Sequence, residues 1–146
     1  MGFFKPRFVL IMGASGRLGS RISSLFLRQG NHVALHYHKR RSAVEKLFKE
    51  ALKPQGKAPG SFICQSNLED RKSLEKMFQT IGNHWPSIDV VVNSAGLIDD
   101  LPAIRMSEVR WDSVLNVNLT GPFLCMRMAA EIMIRENGGH IINIGS

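Results

Sequence analysis

Residues 8–19, Phe8-Val9-Leu10-Ile11-Met12-Gly13-Ala14-Ser15-Gly16-Arg17-Leu18-Gly19, decide the fold. Five apolar residues run unbroken into a glycine-rich turn, and helical spacing follows. Such a run suits a strand buried on both faces of a parallel sheet, because that strand has no wet side to alternate toward. Gly13 can take backbone angles closed to other residues and leaves room for an anion to approach the main chain. A helix starting at Ser15 or Gly16 would aim free amides and its positive dipole end at that anion. Glycines also mark ordinary turns, so the weight of this loop rests on its surroundings.

Working outward, Arg17–Gln29 places Leu18, Ile22, Leu25 and Phe26 on one helical face, and Gly30-Asn31 supplies the stop. Val33–Tyr37 reads as a second strand, followed at once by Lys39, Arg40 and Arg41. Ser42 caps a helix reaching Lys53, with Val44, Leu47 and Phe48 inward, and the prolines and glycines of Lys53–Gly60 make a loop. Ser61–Gln65 is a third strand. Asp70 or Arg71 opens a helix carrying Leu74, Met77, Phe78 and Ile81, and Pro86 breaks the chain again. Ile88–Val92 is a fourth strand running into Asn93-Ser94-Ala95-Gly96. A long helical region over Ser107–Glu136 is interrupted near Gly121-Pro122, and His140–Ile144 is a fifth strand. This alternation predicts an α/β fold, a doubly wound, Rossmann-like parallel sheet in three layers, with residues 1–146 as a single domain. Ligands of such sheets sit beyond the carboxyl ends of the strands. The unusual clusters, Gly13 to Gly19, Lys39 to Arg41, Ser66-Asn67, Asn93 to Gly96 and Ser146, all fall there.

The composition, 44% hydrophobic and 21% charged over 146 residues, is that of an ordinary globular domain with a real core. A net charge of +7 favours anionic partners. Nucleic acid is disfavoured, because the basic residues spread over several helices without an aromatic platform beside them. Met1–Pro6 lacks the apolar stretch of a signal peptide, no apolar run approaches membrane-spanning length, and the default address is the cytoplasm. Cys64 and Cys125 read as buried thiols. The five histidines are scattered; His36 and His38 share a strand face without a third ligand, so no metal site is expected.

Lys39, Arg40 and Arg41 stand where a dinucleotide's adenosine ribose lies in this fold. An NAD site wants a carboxylate there for the 2′-hydroxyl; cations, with Arg17 in reach, favour the 2′-phosphate of NADPH. Asn118 is a polar amide in the otherwise apolar stretch Val114–Leu124 and needs partners if buried. Ser146 offers a hydroxyl at the mouth of the fifth strand, suited to a carbonyl oxygen.

With these residues in view the chain resembles the short-chain dehydrogenase/reductase family along its whole length. Met12-Gly13-Ala14-Ser15-Gly16-Arg17-Leu18-Gly19 is similar to the family's Thr-Gly-x-x-x-Gly-x-Gly, and Asn93-Ser94-Ala95-Gly96 to its Asn-Asn-Ala-Gly. Asn116–Gly121 matches the segment of the family's helix asparagine, and Gly138–Ser146 the strand that ends in its active-site serine. The resemblance implies an NADP-dependent carbonyl reductase and a small-molecule carbonyl substrate. It assigns cofactor contacts to Gly13, Ser15, Arg17, Leu18, Gly19, His38, Lys39, Arg40, Asn67, Leu68, Asn93, Ala95 and Gly96, and catalytic roles to Asn118 and Ser146. For a full-length chain it implies a homo-oligomer, dimer or tetramer.

Asp99–Arg110 and the Ile-Gly-Ser ending are similar to 3-oxoacyl-acyl-carrier-protein reductases. Arg17-Leu18-Gly19 and Leu35-His36-Tyr37-His38 are instead similar to pteridine reductases, so the substrate stays open. Three substitutions depart from the family pattern: Met12 for threonine, Arg17 for the middle glycine, and Asn67 for an aspartate expected at the adenine. The family's Tyr-x-x-x-Lys pair, the proton donor and its lysine, is missing: Tyr37 is the single tyrosine and no lysine follows Lys76. The last strands of the family fold are missing too, which leaves the fifth strand as an exposed edge. A noncatalytic NADPH-binding or interaction protein is therefore the alternative.

Overall fold

A computed structural model describes residues 5–53, 60–136 and 138–145. Strands β1 (Phe8–Met12), β2 (His32–Tyr37), β3 (Phe62–Gln65), β4 (Val90–Asn93) and β5 (His140–Asn143) form one parallel sheet in the order β3-β2-β1-β4-β5. Helices α1 (Arg17–Arg28), α2 (Arg41–Leu52), α3 (Arg71–His84), α4 (Glu108–Leu115) and α5 (Gly121–Met133) connect them. The doubly wound expectation is met, and strand order reverses between β1 and β4, which makes that gap the switch point.

The opening strand shows why the apolar run had to be continuous. Val9 and Ile11 pack toward α1 and α2 with Leu27, Val33, Leu35 and Val44. Leu10 and Met12 point the other way, into a core with Leu74, Met77, Phe78 and Ile81 of α3 and Cys125, Ala129 and Met133 of α5. Both cysteines are buried and free, and burial pushes each thiol up to about 12. Asp70 caps α3 by accepting from the Lys72 amide at 2.9 Å. Strand β5 lies at the outer edge and its four residues are exposed.

Two local expectations need correction. The buried face of α1 is Gly19, Ser23 and Leu27, while Leu18 and Leu25 are 46% and 57% exposed. Ile22 and Phe26 of the expected face do pack against the core, half-buried, and close approach turns the helix from Leu18 and Leu25 toward Gly19 and Ser23. A Cβ on Gly19 would stand 2.2 Å from the Gly13 carbonyl oxygen, and the Ser23 hydroxyl donates back to the Gly19 carbonyl at 2.7 Å. In α2 the cap position is Arg40, without a side-chain cap bond, so Ser42 lies inside the first turn rather than capping it. Residues 54–59 of the expected Lys53–Gly60 loop lie outside the described residues.

The interruption of the long helix near Gly121-Pro122 is met: α4 passes into α5 through a π turn, Asn116–Thr120, in which the Gly121 amide reaches back to the Asn116 carbonyl. The widened turn absorbs the residue whose missing amide a regular helix would have needed. It also brings Gly121 against the loop after β3, where a Cβ would meet Leu68 Cβ at 2.8 Å and the Leu68 carbonyl oxygen at 2.9 Å. Gly121→Ala is therefore expected to destabilise the protein by about 1–3 kcal/mol, read as a lower urea midpoint at unchanged slope.

Candidate functional site

A cleft of about 350 Å³ opens over the carboxyl ends of the central strands. The loop after β1 gives it Gly13, Ser15 and Gly16, and the end of β2 gives it His36, His38, Lys39 and Arg40. Asn67, Leu68 and Glu69 follow β3, Ser94 to Leu97 follow β4, and Ser113 and Val117 reach in from the long helix. Five segments distant in sequence thus converge on the switch point, four of them at strand ends as strand order requires.

The floor is built by close backbone approach. Gly13 has φ of 78°, and a Cβ there would stand 2.7 Å from Ala95 Cα, so the loop after β1 lies directly on the turn after β4. Ser94 fastens that turn to β1 with its amide at 3.1 Å and its hydroxyl at 2.6 Å from the Met12 carbonyl oxygen. Helix α1 starts at Gly16 without a side-chain cap. Among the described residues, the amides of Ser15, Arg17, Leu18 and Gly19 meet no protein acceptor, whereas Gly16 and Ser20 close the turn at 2.9 and 3.0 Å. Free amides at a helix start, beside a glycine cradle that a side chain would fill, fit a phosphate group.

At the far end Lys39 and Arg40 line the cleft, and among the described residues no carboxylate pairs with either. Arg41 turns away to Glu45 at 2.8 Å. Asn67 Oδ1 accepts from the Glu69 amide at 3.1 Å, and the Asn67 backbone amide donates to the Ser73 hydroxyl oxygen at 2.9 Å. The Asn67 side-chain oxygen is thereby engaged, and its NH₂ group is what remains to offer. Glu69 itself accepts from the Ser113 hydroxyl at 2.7 Å, joining the long helix to this end of the cleft.

Of the expected cofactor residues, Gly13, Ser15, His38, Lys39, Arg40, Asn67, Leu68, Ala95 and Gly96 line the cleft. Gly19 lies beneath the loop, Arg17 and Leu18 begin α1 on its exposed side, and Asn93 faces its neighbour strand, donating to Asn143 at 2.7 Å. Asn118 is exposed and makes two 2.8 Å bonds to the backbone of Leu97, one accepted and one donated. It clamps the π turn to the segment after β4. Ser146 lies outside the described residues. Asp99 is engaged by the Arg110 guanidinium, whose hydrogen bonds hold its carboxyl below the usual range. No group of three or more His, Cys, Asp or Glu capable of holding a metal occurs among the described residues.

His36 is the residue that sequence reasoning missed. Strand alternation gives its face but not what stands opposite. It is 2% exposed. Its Nδ1 accepts from the Gly13 amide at 3.1 Å, and its Nε2 lies 3.1 Å from the Ser66 carbonyl oxygen and 2.9 Å from the Ser66 hydroxyl. Burial lowers its pKa to about 4, partly offset by the Ser66 carbonyl bond and reinforced by His38. The unfolded chain takes up this proton near pH 6.5 and the folded one does not, so stability is full above that pH and falls as pH drops toward 4. The expected loss is at most on the order of 3 kcal/mol. Urea midpoints between pH 7 and 5 check it, with a flatter profile expected for His36→Gln.

An open, parallel, doubly wound sheet with a glycine-floored cleft at its switch point defines a Rossmann-like domain. A family model described as short chain dehydrogenase matches residues 7–146. The chain belongs to the short-chain dehydrogenase/reductase family. It is 34% identical over 137 residues to the 3-oxoacyl-[acyl-carrier-protein] reductase FabG of Staphylococcus aureus, covering 94% of this chain and 54% of that protein. It is 30% identical over 145 residues to a short-chain type dehydrogenase/reductase of Picea abies, covering 96% and 54% respectively. A crystal structure of a protein described as a short-chain alcohol dehydrogenase from Sinorhizobium meliloti superposes with a TM-score of 0.86 at 26% identity, over 99% of this chain and 56% of that one. The chain thus spans about half the length of the relatives it matches. No helix among the described residues is long and apolar enough to cross a membrane.

Proposed function

We propose that these residues are the cofactor-binding portion of an NADPH-dependent carbonyl reductase, acting on a 3-oxoacyl thioester or a similar ketone. The observation that carries the reading is that Lys39 and Arg40 line the same cleft as the Gly13 loop. That cleft therefore offers cations for a 2′-phosphate and free amides for a pyrophosphate. The cofactor, when bound, supplies the hydride. Gly13 and the start of α1 would hold the pyrophosphate, and Lys39 and Arg40 the 2′-phosphate. The Asn67 NH₂ group would donate to a ring nitrogen of adenine, where an aspartate would accept from the amino group. Ala95 and Gly96 would let the cofactor lie flat against backbone. Asn118, by fixing Leu97, would hold that wall in place, and Ser146 would position the substrate oxygen. We further expect a cytoplasmic protein whose full-length form is a dimer or tetramer.

The substrate class rests on the Staphylococcus aureus relative; the pteridine-like residues around Arg17 and His38 keep a pteridine ring as the second substrate to assay. Tyr37, the single tyrosine, is buried in β2 at 8% exposure and cannot serve as a proton donor to a substrate in the cleft. These 146 residues are accordingly expected to bind NADPH without reducing ketones above background. Titrating the protein with NADPH and NADH, following cofactor fluorescence, tests the reading: tighter NADPH binding supports it, and binding of neither cofactor overturns it. Rapid ketone reduction would instead show that the proton donor has been misassigned.

A further inference from the structure

We infer that His36 is a positioning residue that ties the pyrophosphate loop to the adenosine end of the cleft, through a single fixed tautomer of its ring. The inference rests on the dinucleotide reading above. The Gly13 amide points a hydrogen at Nδ1 from 3.1 Å, so Nδ1 must be unprotonated. The proton then sits on Nε2, where the Ser66 carbonyl and hydroxyl oxygens, at 3.1 and 2.9 Å, can share it. Neither the other tautomer nor the doubly protonated ring is compatible, since each would set two donors against one another at Gly13.

The bridge joins groups that the backbone holds only indirectly. Gly13 begins the loop after β1, Ser66 begins the turn after β3, and β2 stands between their strands. Backbone bonds run from the Ala14 amide to the His36 carbonyl at 2.8 Å and from the Ser66 amide to the Tyr37 carbonyl at 3.2 Å. The ring closes these into one unit, directly under the cleft that His36 helps to line. Asn67 and Leu68 follow Ser66 immediately, so a shift at Ser66 moves the adenosine contacts, and a shift at Gly13 moves the pyrophosphate cradle. The titratable groups near the ring are His38 along the strand and Cys64, its register partner on β3. The Cys64 thiol stays protonated, with its pKa pushed up to about 12 by burial.

Two substitutions split the bridge. His36→Asn places an acceptor near the Nδ1 position and drops the contact to Ser66; His36→Gln places a donor near the Nε2 position and drops the contact to Gly13. The ligands are NADPH, which spans both ends, and adenosine 2′-monophosphate, which carries the adenosine and 2′-phosphate but no pyrophosphate. For His36→Gln the expected result is roughly tenfold weaker NADPH binding with adenosine 2′-monophosphate unchanged within about twofold. For His36→Asn both ligands are expected to weaken. A merely structural histidine would shift both ligands equally in both variants, in step with the fall in urea midpoint, and that pattern overturns the proposal, as does unchanged NADPH binding in both. Nitrogen-15 spectra of the unsubstituted protein are expected to show a single Nε2-protonated ring at neutral pH, and an Nδ1-protonated or averaged ring overturns the bridge itself. If the unsubstituted protein binds neither ligand, the dinucleotide reading fails and the positioning role with it, while the spectra still decide the tautomer.

Discussion

Replacing Gly13 with alanine is expected to abolish dinucleotide binding and to cost the fold several kcal/mol. Two independent effects add at this position. The backbone is left-handed, with φ of 78°, which costs a residue with a Cβ about 1–2 kcal/mol. The new Cβ would also stand 2.7 Å from both Ala95 Cα and the Ala95 amide nitrogen, main-chain atoms that cannot rotate away. Overpacking of this kind adds about 1–3 kcal/mol, so a total on the order of 2–5 kcal/mol is expected, with a fall of roughly 10 °C in Tm for a domain of this size. The relief open to the chain is to lift the loop off the turn after β4, which widens the floor of the cleft and misaims the amides of α1. Gly82→Ala is the matched comparison: Gly82 lies inside α3, and nothing stands within 4 Å of its would-be Cβ. There the helix gains about 0.5–1 kcal/mol from the lost backbone freedom of glycine. Thermal unfolding and NADPH titration of the two variants should move in opposite directions for stability, and only Gly13→Ala should lose the cofactor. Equal behaviour of the pair would remove the steric account of the loop.

The contrast between those glycines shows what a sequence discloses and what it withholds. The strands and their parallel arrangement were legible because burial on both faces demands runs such as Val9 to Met12 and Val90 to Val92, which few other environments select. The inward face of α3 was legible for a similar reason: Leu74, Met77, Phe78 and Ile81 pack as their spacing says. In helix α1 the same reasoning placed Ile22 and Phe26 but not Leu18 and Leu25, because its orientation is set by where it can come close to the sheet, and the residues that permit this, Gly19 and Ser23, carry no hydrophobic signal. The π turn was likewise hidden. Its clamp is the pair of bonds from Asn118 to Leu97, whose proximity depends on the path of the chain between them. The role of His36 was hidden because alternation fixes a face, the one it shares with His38, but not the neighbour. Both neighbours, Gly13 and Ser66, belong to turns after other strands. The glycine loop and the basic cluster after β2 were readable separately; that they line one cleft is a consequence of strand order.

Neutralising Lys39 and Arg40 together is expected to weaken NADPH binding by one hundredfold or more while leaving NADH within about twofold. A 2′-phosphate brings close to two negative charges into the mouth of the cleft, and each charged hydrogen bond to it contributes on the order of 1.5–3 kcal/mol. One such bond corresponds to roughly 10- to 100-fold in Kd, so single substitutions Lys39→Ala and Arg40→Ala should each fall in that range. Arg41→Ala should behave differently. Arg41 is committed to Glu45 at 2.8 Å and is exposed, so its loss should leave NADPH binding within a few fold and remove only an exposed helix pair. Salt supplies a second discriminating measurement, because exposed charges on a phosphate are screened over about 8–10 Å at physiological ionic strength. NADPH affinity of the unsubstituted protein should therefore fall with added salt, and that of the double variant should scarcely respond. If the double variant keeps its preference for NADPH, the 2′-phosphate is held elsewhere. Arg17, exposed at the start of α1, is then the residue to substitute next. If instead the double variant loses NADPH and NADH alike, the two cations contribute to the general field of the cleft rather than to recognition of the phosphate, and the assignment of cofactor preference to them fails.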